Sequence, residues 1–84
     1  MQNERLKTQI IKLIKAINRA DFDEEMKNLA ALEKLLVDLE SGSISIQETI
    51  DKLKHLVHHY EKMIDLQRIE PEIKDIQEFL DKNG

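Results

Sequence analysis

The chain has 84 residues, no cysteine, 36% charged and 4% aromatic residues, two glycines, one proline and a formal net charge of −4. A chain this short makes one domain at most, burying only roughly 60–65% of its unfolded surface, and without thiols neither a disulfide nor a thiolate zinc site can staple it. High charge with few aromatics disfavours a sheet; no apolar stretch approaches the roughly 20 residues of a membrane span, and Met1-Gln2-Asn3-Glu4 does not open a secretion signal, so an all-helical cytoplasmic protein is expected.

The charge is unevenly spread. Residues 1–20 carry +4, residues 21–50 carry −6 and residues 51–84 carry −2, which together give −4. In the first segment Leu6, Ile10, Leu13 and Ile17 recur at spacings of four, three and four, widened by Ile11 and Ile14, which predicts a helix over about 3–19 with one apolar face. Arg5, Lys12, Lys15 and Arg19 fall nearly opposite that face. Such a stripe can track phosphates by releasing counterions. It has no interleaved aromatics for base stacking and belongs to an acidic domain, so direct nucleic-acid contact is the competing reading, not the favoured one.

The run Asp21-Phe22-Asp23-Glu24-Glu25 places acids and a cap candidate, Asp21, ahead of a new apolar period, as free helix amides and the macrodipole favour. That position explains the carboxylates without an acid pair or a cation site. The second helix is predicted over about 22–40, with Leu29, Leu32, Leu36 and Leu39 at three, four and three and with Phe22, Met26 and Leu35 beside them. Gly42 is the residue best able to take the left-handed conformation that closes a helix, and Ser45 with Glu48 writes a capping box for the next one. So short a turn predicts an antiparallel hairpin.

The third helix, about 45–66, has the most regular period: Ile46, Ile50, Leu53, Val57, Tyr60 and Ile64 alternate four and three, as in a coiled-coil seam. His55 and His59 stand one turn apart, a spacing at which two imidazoles can share a metal ion. On the helical wheel, however, His55 points away from the seam with His59 and Lys62 beside it. A third ligand and the glutamate of a zincin motif are missing, so no intrinsic metal site or cofactor is expected. With no glycine-rich phosphate loop or nucleophile elbow either, the chain does not read as an enzyme.

Ile69, Ile73, Ile76 and Leu80 keep the helical spacing but not the phase; at 100° per residue their stripe is rotated by roughly 140° from that of the third helix. Pro71 sits where the phases meet, tolerated in a first turn and disruptive in a helix interior, so a break near 67–70 and a final helix over about 70–82 follow. That helix either folds back on the others or reaches another chain.

The run Leu29, Leu32, Leu35-Leu36, Leu39-Glu40-Ser41-Gly42, Ser45-Ile46, Glu48 and Ile50 resembles the small subunit of exodeoxyribonuclease VII over about residues 26–57. The resemblance implies two long antiparallel helices and a noncatalytic accessory subunit, packed on the large catalytic subunit of a nuclease that acts on single-stranded DNA.

The expected fold is an all-α, antiparallel three- to four-helix bundle built on a central helical hairpin, with Leu13, Ile17, Leu29, Leu32, Leu36, Leu39, Ile50, Leu53, Val57 and Ile64 in its core. Leu56, Met63 and Leu66 remain on a flank of the third helix; with Phe79 they are the expected partner-binding residues, covered by the last helix or by a second copy in a homodimer. The expected function is a non-enzymatic protein–protein interaction module, an adaptor, accessory subunit or inhibitor presenting a helical face. A dimeric DNA-binding regulator using the stripe Arg5, Lys12, Lys15 and Arg19 is the alternative from another class.

Overall fold

The computed structural model describes residues 2–23, 29–62 and 66–83. Within them the chain is all-helical: α1 is Gln2–Arg19, α2 is Leu29–Ser41, α3 is Ile46–Glu61, and after a 3-10 turn over Leu66–Ile69 comes α4, Glu70–Asn83. The Cα radius of gyration is 12.1 Å, matching the ~12 Å expected of a compact chain this long.

α1 begins and ends where its apolar period does, and that period is its buried face: Leu6, Ile10, Leu13, Ala16 and Ile17 are at most 1% exposed. Its end differs from the expected one. Asp21 is not the cap of a following helix; it sits at φ 57°, and its N–H donates back to the Asn18 carbonyl at 3.3 Å, so it closes α1 in a left-handed turn, which aspartate tolerates better than most side chains. Phe22, expected to open the second helix, lies in non-helical chain and is buried at 4%. Met26 lies outside the described residues.

The turn between α2 and α3 is built as its residues require. Gly42 adopts φ 78°; its N–H donates to the Leu39 carbonyl and that of Ser43 to the Asp38 carbonyl at 2.9 Å. These are the paired bonds of a Schellman closure. Ser45 then caps α3, its Oγ accepting the Glu48 N–H at 3.1 Å, while Thr49, fully buried, satisfies its hydroxyl by donating to the Ser45 carbonyl at 2.8 Å. A Cβ on residue 42 would meet nothing within 4 Å, so Gly42→Ala carries only the conformational cost, ~1–2 kcal/mol of stability. Gly42→Asn should lose less, because asparagine visits this region readily; chemical denaturation checks the ranking.

Packing selects among the leucines. In α2 the buried set is Leu32, Leu35 and Leu39, whereas Leu29 and Leu36, expected in the core, are half-buried against it. The cause is position: α2 lies between α1 and α3, so its innermost line falls between two equally apolar rows. α3 buries Ile50, Leu53, Val57 and Tyr60 but stops at Glu61, short of the expected 66, with Lys62 as its C-cap. Ile64 lies outside the described residues. The chain reorients there because the next stripe is out of phase: the 3-10 turn follows, Pro71 falls in the first turn of α4, and Ile69, Ile73, Ile76 and Leu80 are all at most 2% exposed.

α4 thus folds back, lying against both α1 and α3. The Arg19 guanidinium donates to Glu72 and Arg68 donates to the Ala20 carbonyl at 2.8 Å, joining the end of α1 to the start of α4. These exposed polar ties are worth little, about 0–1 kcal/mol for the ion pair; the buried isoleucines hold the helix.

Tyr60, the one tyrosine of a chain without tryptophan, is fully buried, and burial pushes its phenol up to about 12. Between about pH 10 and 12 the folded domain therefore keeps a proton that the unfolded chain releases, so stability is intact below pH 10 and falls by up to ~2–3 kcal/mol across that window. A phenolate absorbance titration with its midpoint near 10 would contradict this.

Candidate interaction surface

Three surface features have the residue types that function uses. On α1, Arg5, Lys12, Lys15 and Arg19 are all exposed on one face, as their spacing predicts. Arg19 is committed to Glu72, which leaves Arg5, Lys12 and Lys15 over about 15 Å of helix. Ile11, 37% exposed, borders this face and gives it no flat ring on which a base could stack.

On α3, His55, His58 and His59 are exposed. His58 Nδ1 lies 3.9 Å from Glu61, and the His59 ring stands edge-on to Tyr60 with centroids 5.9 Å apart. His55 and His59 keep their one-turn spacing, but among the described residues no three histidine or carboxylate side chains come together as a metal would need.

Between α2 and α3 runs an open groove of about 320 Å³. α2 supplies Ala31, Lys34, Leu35 and Asp38; α3 supplies Lys52, His55 and Leu56. Leu35 is buried and forms the floor, Leu56 and Ala31 are half-buried beside it, and Lys34, Lys52 and His55 stand exposed at the rim. Among the described residues no ion pair engages Lys34 or Lys52. Leu56 thus lies where a partner could reach it, and His55 becomes part of the rim beside Lys34 and Lys52.

A second groove, between α3 and α4, is lined by Lys54, Val57, His58, Glu61, Gln77, Leu80 and Asp81. Its polar groups face one another, and the Gln77 amide donates to Glu61 across it. Its apolar residues, Val57 and Leu80, are buried, so it offers an apolar partner little.

The other expected partner residues do not join Leu56. Phe79 is half-buried against the core on α4 and lines neither groove. Met63 and the Leu66 side chain lie outside the described residues. Sequence reasoning missed Ala31, Lys34 and Lys52: each is ordinary on its own helix, and only the juxtaposition of two helices makes them walls of one groove. The signal available was Leu35-Leu36 followed by Leu56, an apolar surplus on the facing sides of a hairpin. No described helix is long and apolar enough to cross a membrane. Comparison with protein-family models, curated proteins and solved structures finds no match to this chain.

Proposed function

We infer that this chain is a non-enzymatic protein–protein interaction module, a small adaptor, accessory subunit or inhibitor, whose described helices form an antiparallel bundle on the α2–α3 hairpin and whose working face is that hairpin. The observation that carries it is the groove with Leu35 and Leu56 at its base and Lys34, Lys52 and His55 around it. Elsewhere the large apolar side chains left exposed among the described residues are Ile11 and Val37, on separate helices, and isolated apolar surface residues are ordinary. An apolar strip with a polar rim is how protein interfaces are usually composed.

The nuclease small subunit is one member of this class; its partner would be a large catalytic subunit, and co-purification with such a subunit tests it. The dimeric DNA-binding regulator rests on exposed Arg5, Lys12 and Lys15. It predicts duplex binding that weakens steeply with salt and on replacing Lys12 and Lys15, whereas the interaction module predicts none.

The deciding experiment is affinity capture from the protein's own cells with the unaltered chain, Leu56→Glu and, as a control away from the groove, Ile11→Glu. One stoichiometric protein partner should be retained by the unaltered chain and by Ile11→Glu and lost with Leu56→Glu, all three giving the same helical circular dichroism. Retention that ignores Leu56→Glu would remove the groove as the working face, and capture of nucleic acid that depends on Lys12 and Lys15 would replace this reading with the regulator.

A further inference from the structure

We propose that the α2–α3 groove is the docking site for an acidic amphipathic helix of another protein, with apolar residues on one face and carboxylates along both edges. This rests on the interaction-module reading and specifies its partner. The groove is open and, at about 320 Å³, at the lower end of the roughly 300–1,000 Å³ of clefts that enclose a small ligand, so it suits a row of side chains laid along it. Helices are recognised this way, through apolar anchors one turn apart seated in a groove between two others.

The charge of the walls selects the occupant. The domain carries −4, yet the groove is rimmed by the two cations Lys34 on α2 and Lys52 on α3 against the single carboxylate of Asp38. With a lysine on each wall and neither held by an ion pair among the described residues, carboxylates on both edges of an incoming helix find uncommitted cations. A basic helix would leave them facing like charge, and such juxtaposition is what excludes wrong partners.

A second copy of this chain fits less well. The apolar faces of α1 and α4 are already inside their own domain, with Leu6, Ile10, Leu13, Ile73, Ile76 and Leu80 at most 2% exposed. Neither helix can lend its face to a neighbour's groove without unfolding, and a second copy offering its own groove would set Lys34 and Lys52 against the same cations, so a different protein is the better occupant.

The test uses the full chain, isotope-labelled, and two synthetic helical peptides that share leucines at the i, i+3, i+4 and i+7 positions, one flanked by glutamates and the other by lysines. The acidic peptide should bind at least about tenfold more tightly, shift the amides around Leu35 and Leu56, and lose affinity with added salt; the double variant Lys34→Glu, Lys52→Glu should invert the preference. Equal binding of the two peptides, shifts confined to other helices, or shifts at these amides that grow with protein concentration in the absence of peptide would overturn it, the last by making a second copy the occupant. If the cellular partner is lost with Leu56→Glu while the acidic peptide fails to bind, the interaction-module reading stands and the acidic helix falls.

Discussion

Replacing Ile76 by aspartate is expected to unfold this domain. Ile76 is 1% exposed on the inner face of α4, among Ile69, Ile73 and Leu80. The change removes the ~1.5–3 kcal/mol that burying an isoleucine supplies and places a carboxylate where none of these neighbours can pair with it, a further cost of several kcal/mol. A domain of 84 residues has only ~4–13 kcal/mol of stability in total, so the two losses together approach or exceed it. Loss of the cooperative thermal transition and of dispersed amide resonances is the expected readout. A variant that melts within a few degrees of the unaltered protein would mean that α4 does not cover the core.

Leu53→Ala is expected to leave the protein folded but markedly weaker, by ~2–5 kcal/mol, because Leu53 is fully buried at the centre of α3 and its removal leaves a cavity that the facing helices can close only in part. At roughly 4–8 °C per kcal/mol for a domain of this size, the melting temperature should drop by about 8–40 °C. Leu56→Ala, three residues on and half-buried beside Leu35 at the base of the groove, should cost less, under about 2 kcal/mol, since part of its side chain already meets water. The contrast matters for function as well as for stability. If the two changes cost the same, Leu56 is core, the groove is shallower than described, and Leu56→Glu no longer isolates binding from folding.

Much of this architecture is legible from local chemistry. Gly42 stops α2 and Ser45 starts α3 for reasons internal to a few consecutive residues: a left-handed φ that glycine takes without strain and a hydroxyl within reach of a free amide. Because any tight helical hairpin is well served by the same residues, they speak to fold before function. Pro71 is legible in the same way; its missing N–H costs nothing in the first turn of α4.

Less legible are the features set by neighbours. The choice of Leu35 over Leu36 depends on how α2 is rotated between α1 and α3, and an apolar pair at adjacent positions leaves that rotation undetermined. Asp21 reads as the start of a helix because acids favour N-termini, yet it ends α1 at φ 57°; the two roles draw on the same short polar side chain, and only the path to buried Phe22 distinguishes them. The site is the extreme case. Lys34, Lys52 and His55 form a rim because the hairpin turn brings α2 and α3 side by side, and no periodicity within either helix encodes that meeting.

By itself, then, the sequence determined that this chain is helical, where the hairpin turns, and that a phase break precedes Pro71, because each follows from spacings and caps spanning a turn or two of backbone. The tertiary structure decided that α4 folds back, which leucines are innermost, and that an apolar, cation-rimmed groove opens along the hairpin. Those depend on helix rotation and on contacts between residues far apart in the chain, where burial of the whole core outweighs the preference of any one segment.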